Sequence, residues 1–221
     1  MASFITSPAW FYGIDSALQI VTVVIALLIA FYGFHIYRFI GQKKYLFFAL
    51  SFLSIGISMV LGSVTSFLLY FVWMKHNALY VLVHDFMLFY EVGFLSHFFF
   101  HLAAYMILII LCLKIEDLRV MSLLFLFVLL TLIIAERNFV SFYVVSLILM
   151  VLYIVPYFYK NYQENRNSKT KRVFFAFSAI ALSQLLFLLS VWSDRAYVLA
   201  HISQLIGYIT LLVNLISVLR K

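Results

Sequence analysis

Long apolar stretches separated by short polar connections dominate the hydrophobic pattern of this chain, and there are seven of them. A helix needs about 20 apolar residues to cross a bilayer, and each stretch is close to or above that length. The strict alternation that barrel strands need does not occur, and a backbone in hydrocarbon must satisfy its own hydrogen bonds. The pattern therefore predicts an all-α, integral membrane seven-helix bundle that forms a single transmembrane domain over 1–221. The predicted spans cover about 16–40, 45–73, 88–113, 120–135, 138–159, 173–192 and 196–219.

The fourth span is the shortest of the seven. At about 1.5 Å per residue, a helix over 120–135 reaches roughly 24 Å, just under the thickness of a typical hydrocarbon core. The sequence does not decide whether this span crosses the membrane completely. The Glu136-Arg137 pair predicts a tight turn that joins it to the fifth span as a hairpin. The connection 74–87 mixes apolar and polar residues, which favours a short helix on the membrane surface.

The positive charges of the connections lie almost entirely on one side of the predicted bundle. Of the 15 Lys and Arg residues, only Lys75, Arg137 and Arg195 lie on the side where the chain begins. Basic residues accumulate in cytoplasmic connections, so the pattern predicts an outer N-terminus, a cytoplasmic C-terminus and a multi-pass protein of the plasma (cytoplasmic) membrane. The same rule accounts for the net charge of +7, which predicts no nucleic-acid partner.

Composition agrees with a lipid environment. The chain is 67% hydrophobic and only 10% charged, which is more apolar than a soluble domain of this size could bury. Its one cysteine, Cys112, excludes an internal disulfide and a multi-cysteine metal site.

A stripe of small residues follows one face of the second span. Small side chains allow two helix backbones to approach closely in a membrane. One interpretation is packing against a neighbouring helix of the same bundle, and the other is a homodimer interface. The stripe consists of Ser51, Ser54, Ser58, Gly62 and Ser66.

Polar side chains inside the third and seventh spans are the candidate functional residues, because burying such groups in lipid is costly. His97 and His101 are four residues apart, which sets them on one face of a helix. The histidines of both spans fall in the outer half of the predicted membrane, and we expect the polar residues to line one outward-facing ligand cavity. The predicted lining residues are Tyr90, Glu91, His97, His101, Tyr105, His201, Gln204 and Tyr208.

A metal site is one interpretation of these histidines. Two imidazoles at this spacing can bind one ion, for example zinc, and His201 with Glu91 or Asp85 would complete the ligand shell. Haem held between His97 or His101 and His201 is a further interpretation. The structural alternative is that neutral imidazoles hydrogen-bond between helices and hold the bundle together.

The sequence lacks the characteristic residues of two well-known classes of seven-helix proteins. Retinal proteins need a lysine in the last span, and 196–219 contains none. Receptors coupled to G proteins carry an acidic-Arg-aromatic triplet after the third span, whereas this span ends in Lys114-Ile115-Glu116-Asp117. Seven-helix zinc hydrolases, which include alkaline ceramidases and adiponectin-type receptors, carry their paired histidines on the last span, so that comparison transfers no residues.

One local stretch resembles a known group of proteins. Residues Phe31 to Phe52, FYGFHIYRFIGQKKYLFFALSF, combine Tyr-Gly, Tyr-Arg and a basic turn with glycine. This stretch resembles the first hairpin of uncharacterised archaeal multi-spanning membrane proteins, some of which look like stand-alone sensory membrane modules. The resemblance implies a sensor-like protein and names no activity.

Three functions follow as hypotheses. The favoured one is a non-enzymatic sensor, receptor-like or scaffold module that binds a ligand from the outer side and contacts a cytoplasmic protein partner through a basic loop. That loop contains Lys160, Arg166, Lys169, Lys171 and Arg172. The second is a metal-dependent, hydrolase-like membrane enzyme that uses His97, His101 and His201. The third is a transporter, which broken helices at the midplane would favour; the only span proline, Pro156, lies near a predicted inner end.

Overall fold

Helices form every regular element of the structure, a computed structural model that describes residues 8–11, 13–74, 83–137 and 139–219. The first described element is a 3-10 turn, Ala9–Phe11, and a π-helical turn, Met150–Ile154, separates two of the later helices. The helices are α1 (Ile14–Ile40), α2 (Lys43–Met74), α3 (Val83–Leu113), α4 (Leu118–Arg137), α5 (Phe139–Leu149), α6 (Val155–Asn165), α7 (Ser168–Leu189) and α8 (Asp194–Leu219).

Seven helical segments within these residues are long and apolar enough to cross a membrane. They match the seven predicted spans one for one, with α5, the π-helical turn and α6 together forming the fifth. The prediction of an all-α multi-pass membrane protein is confirmed at this level. The orientation of the two chain ends stays a prediction.

The fourth helix is longer than the sequence pattern predicted. α4 has 20 residues, which at about 1.5 Å per residue is roughly 30 Å, enough for a hydrocarbon core. Asp117 begins the helix early, because its side chain accepts the N–H of Arg119 at 2.8 Å. Glu136 and Arg137 belong to the last turn of α4, so the predicted turn at this pair is wrong.

The fifth span contains the one π-helical turn in the described residues. The N–H of Val155 bonds the carbonyl of Met150, five residues back, and Pro156 follows directly. A proline has no N–H to donate and crowds the preceding turn, and a wider turn relieves that crowding. Met150 and Ile154 both remain fully buried. The backbone stays helical through the span, so this is a local widening rather than a broken helix.

The predicted basic loop is mostly helical. Lys160 lies in α6 and Lys169 in the first turn of α7, and only residues 166 and 167 separate the two helices. Arg166 adopts a left-handed conformation with φ 44°, and the Asn167 side chain accepts the N–H of Thr170 at 2.8 Å. The loop prediction is therefore corrected to a two-residue turn between helices, which we call the basic turn. The basic residues that were predicted for the loop lie in this turn and in the helix ends on either side of it.

The predicted surface helix over 74–87 is not a separate element in the described part of the chain. Residues 83–87 form the first turn and a half of α3, and residues 75–82 lie outside the described residues. The first hairpin, by contrast, follows the sequence closely. Gly41 ends α1 with φ 71° and donates its N–H to Tyr37 at 2.8 Å, and α2 begins two residues later.

Packing within the bundle uses small residues where helices come close. α2 packs against both α1 and α3, α7 packs against α8, and α8 also contacts α1. A Cβ added at Gly207 of α8 would lie 2.9 Å from the Ala176 carbonyl oxygen of α7. On α2, Ser51, Ser58 and Gly62 are buried. Three of the five stripe residues therefore pack inside the bundle, whereas Ser54 and Ser66 are half-buried, and a homodimer interface stays a prediction.

Candidate functional site

A reciprocal pair of hydrogen bonds joins α2 to α3 at Ser58 and His97. The Nδ1 of His97 lies 2.8 Å from the Ser58 carbonyl oxygen and 2.9 Å from the Ser58 hydroxyl oxygen. A carbonyl oxygen only accepts, so Nδ1 carries the proton. The Ser58 hydroxyl in turn donates to the His97 carbonyl oxygen at 2.9 Å. Each residue thus satisfies the other inside the bundle.

His101 continues this contact toward α7. Its Nε2 lies 2.9 Å from the Tyr105 hydroxyl, and its Nδ1 makes a longer contact of 3.4 Å with the Ser58 hydroxyl. Gln184 of α7 donates its amide N–H to the same Tyr105 hydroxyl at 3.1 Å. The result is a continuous polar chain that links α2, α3 and α7. It consists of His97, Ser58, His101, Tyr105 and Gln184, and we call it the polar chain.

Local sequence explains why the polar chain can form where it does. Ser58 and Gly62 are one turn apart on α2, and a Cβ at Gly62 would lie 3.0 Å from His97 Nδ1, so only glycine leaves this space for the imidazole. Phe142 of α5 covers the other side, with its ring centroid 5.5 Å from that of His101. His101 is 2% exposed. Apart from His97, which is half-buried, the polar chain is therefore enclosed in the bundle, where hydrogen bonds are strong and lost ones are costly.

The polar chain has two complete orientations of its hydrogen bonds. In the first, Gln184 donates to Tyr105, Tyr105 donates to His101 Nε2, and His101 Nδ1–H points at Ser58. In the second, Ser58 turns its one hydroxyl hydrogen from the His97 carbonyl to His101 Nδ1, His101 Nε2–H donates to Tyr105, and Tyr105 donates to Gln184 Oε1 after the amide turns over. That oxygen is buried and lacks a partner in the first orientation. Either orientation satisfies both nitrogens of the His101 ring.

His201 lies in a separate cluster. Its ring packs against Phe187 at a centroid distance of 5.0 Å, Tyr197 at 4.8 Å and Phe11 at 6.1 Å. None of these belongs to the polar chain. Among the described residues, no three His, Cys, Asp or Glu side chains come together as a metal ion would require. The structure therefore does not bring His97, His101 and His201 together around one metal ion, and the haem interpretation stays a prediction.

The remaining predicted residues fall into four groups. Tyr105 belongs to the polar chain, whereas Gln204 and Tyr208 are buried one turn apart on α8. The Tyr208 ring meets Phe52 of α2 edge to face at 6.2 Å, so α8 contributes to the core beside α2. Glu91 is exposed. The side chains of Tyr90 and Asp85 lie outside the described residues, so their place at the mouth of a cavity stays a prediction.

Gln184 and Asp15 are among the buried polar residues that the sequence did not single out. Gln184 lies inside the sixth span, and its amide alone could have marked it as costly to bury. Asp15 is 1% exposed and accepts the N–H of Ser16 at 2.7 Å and of Gly13 at 3.0 Å. Its position directly before the first apolar stretch resembles an ordinary interfacial residue, so the sequence offers no signal of its burial.

The arrangement around Ser58 does not suit nucleophilic catalysis. A serine nucleophile needs a neighbouring imidazole nitrogen that accepts its proton. His97 Nδ1 carries a proton instead, and although His101 Nδ1 lies 3.4 Å from the Ser58 hydroxyl, that hydroxyl is fully buried, so a substrate could not reach it. The polar chain is suited to joining helices and to reversing the direction in which its hydrogen bonds donate.

Comparison with known proteins identifies no relative. No protein-family model matches the chain, and neither a curated protein nor a solved structure matches it. The resemblance of residues 31–52 to sensor-like archaeal membrane proteins therefore stays a prediction, and the site is interpreted from its own geometry.

Proposed function

We propose that this protein is a non-enzymatic, seven-helix membrane sensor in which the polar chain is the responding element. The observation that carries the proposal is the unbroken run of hydrogen bonds from His97 to Gln184, which ties α2, α3 and α7 together inside an apolar core. A sensor needs an element with two states of similar free energy. The two hydrogen-bond orientations of the polar chain supply such an element.

The proposed stimulus acts on His101. An imidazole is a side chain that can take up a second proton, and His101 has one neighbour on each ring nitrogen. Because the ring is buried among apolar side chains, the proposed stimulus is acid rather than a change near neutral pH. A doubly protonated ring would donate to both neighbours, so Tyr105 could no longer donate to it. Tyr105 would then turn its hydroxyl toward Gln184, which changes the contact between α3 and α7.

The proposed output is the basic turn between α6 and α7. Gln184 and the basic residues of α7 belong to one continuous helix, so a movement at Gln184 reaches the end where Lys169 lies. We propose that a cytoplasmic protein partner binds there, as predicted from the sequence. The only ion pair in the described residues is exposed, between Lys160 and Glu164 at 3.9 Å, so most of this positive charge is available to an acidic surface.

The two other functions have less support from the geometry. A metal-dependent hydrolase would need its ligands in one place, and the three histidines lie in two clusters. A transporter built on broken helices would need unwound backbone at the midplane, and the fifth span widens without unwinding. Stoichiometric metal in purified protein that disappears in His101→Ala would favour the enzyme instead.

The test measures whether α7 moves relative to the first hairpin. Spin labels at Gln42→Cys and Ser168→Cys, both exposed and in or beside turns, report this distance by double electron–electron resonance in a Cys112→Ala background. We expect two distance populations whose ratio changes as the pH falls from about 8 to about 4, because an imidazole enclosed by apolar side chains takes up its second proton only in acid. Tyr105→Phe keeps the ring but removes the hydroxyl that joins His101 to Gln184, and should abolish the change.

Tyr153→Phe is the matched control, because Tyr153 lies on the exposed face of the fifth span. It should behave like the parent. A single distance population that is the same at both pH values in the parent protein, or an unchanged response in Tyr105→Phe, would contradict the proposal.

A further inference from the structure

The start of the described chain folds over His201. The 3-10 turn is closed by a hydrogen bond from the Phe11 N–H to the Pro8 carbonyl at 2.8 Å, and Phe11 is only 3% exposed. Its ring lies 6.1 Å from those of both Tyr197 and His201. Trp10 of the same turn remains 65% exposed. The turn thus places one aromatic ring into the bundle and leaves the other outside.

The group beneath this turn is a polar atom without a partner. His201 is 4% exposed, and its Nε2 is buried with no hydrogen-bond partner. The surrounding rings of Phe11 and Phe187 offer no strong acceptor or donor, although Phe187 stands at 90° to the imidazole. A buried polar atom without a strong partner is costly to keep. The Nε2 of His201 is therefore able to form one further hydrogen bond.

A glycine hinge connects the turn to α1. Gly13 has φ +87°, a conformation that other L residues rarely adopt, and a Cβ added there would meet nothing within 4 Å. Its N–H bonds the buried Asp15 carboxylate at 3.0 Å. The closed turn is thus held by one ring, one glycine conformation and one hydrogen bond.

We propose that residues 8–11 are a lid over a ligand site whose polar group is the Nε2 of His201, and that the lid opens at Gly13. The space that the Phe11 ring fills in the closed lid indicates the class of ligand. A molecule that displaces the Phe11 ring must bring a planar apolar body to meet Phe187 and Tyr197, and a hydrogen-bonding group to meet Nε2. Indole has both features, and benzene has only the first. This site is separate from the polar chain and does not depend on the proposed sensor function.

The experiment measures the rate at which a reagent in solution modifies His201. Full-length protein in detergent micelles is treated with diethylpyrocarbonate, which modifies imidazoles, and modification at each histidine is followed by mass spectrometry. Gly13→Ala penalises the closed conformation without touching a neighbour, so we expect His201 to react about fivefold faster or more than in the parent. Phe11→Ala removes the ring and should accelerate it further. His101, buried in the polar chain, should react slowly and equally in all variants, which shows that the bundle stays folded.

Gly41→Ala is the matched control. Gly41 also has positive φ and open space around its Cβ position, but it lies in the turn after α1, at the other end of that helix. It should leave the rate at His201 unchanged. Equal rates at His201 in the parent, Gly13→Ala and Phe11→Ala would overturn the lid, as would an equal acceleration by Gly41→Ala.

The ligand class is tested in Gly13→Ala with indole and benzene as probes. Indole at millimolar concentration should slow the modification of His201 several-fold, and benzene at the same concentration should slow it less. Equal protection by the two, or none by either, would overturn the assignment of Nε2 as the recognition group.

Discussion

At the scale of single residues, Ser58 carries the contact between α2 and α3. Its hydroxyl donates to the His97 carbonyl and lies within reach of both imidazoles, while its own carbonyl accepts from His97. Gly62, one turn away, provides the space in which the imidazole sits. A small residue with a hydroxyl, followed by a residue with no side chain, is therefore the local requirement of this site.

We predict that Ser58→Ala destabilises the protein by about 1 to 3 kcal/mol, because it removes the hydroxyl that donates to the His97 carbonyl and that contacts the Nδ1 of buried His101. The measurement is thermal unfolding of the full chain in detergent. Ser54→Ala, on the same helix but only partly buried, should change stability by less than about 0.5 kcal/mol. Equal effects of the two substitutions would show that the hydroxyl of Ser58 is dispensable.

At the scale of helices, the ends are set by short-range capping that the sequence only partly reveals. Asp117 starts α4 and Asn167 starts α7, each through its side-chain oxygen. Pro156 widens the fifth span into a π-helical turn instead of ending it, since the flanking helix is held in the bundle on both sides. The helices therefore extend beyond the apolar stretches that predicted them.

We expect Asn167→Ala to cost about 1 kcal/mol, because the cap of α7 loses the acceptor for the N–H of Thr170. Asn161→Ala removes a similar side chain from the interior of α6, where its oxygen accepts only from exposed Asn165, and should cost less. Thermal unfolding in detergent compares the two. If Asn161→Ala proves as costly as Asn167→Ala, the side chain of Asn167 does not act as a cap.

At the scale of the whole molecule, charge and aromatic packing distinguish the two ends of the bundle. The basic turn lies at one end, and the lid over His201 lies at the other. Seven spans place successive connections on alternating sides, so the turn 190–193 lies on the side where the chain begins. The charge distribution predicts that this side faces outward.

The orientation is tested by labelling single cysteines in a Cys112→Ala background. Ser193→Cys, exposed between α7 and α8, should react with a membrane-impermeant maleimide added to intact cells. Ser168→Cys, exposed at the start of α7, should react only after the cells are permeabilised. The reverse pattern would place the N-terminus in the cytoplasm.

Parts of the candidate site could be predicted because they depend on spacing along one helix. The four-residue separation of His97 and His101 placed both on one face of α3, and Tyr105 continues that face. The sequence could not tell which helix this face meets. Ser58 was recognised only as a small residue, and Gln184 was not recognised, because each becomes part of the site through a neighbour distant in sequence.

By itself, the sequence determined the number of spans, the helical class and the side on which the basic residues gather, because the length of an apolar run and the sign of its flanking charges are local properties. Only the tertiary structure decided which polar groups meet. It joined His101 to Gln184, separated His201 from the other histidines and buried Asp15. Those outcomes depend on the rotation and neighbours of every helix, and the packing of the whole bundle sets both.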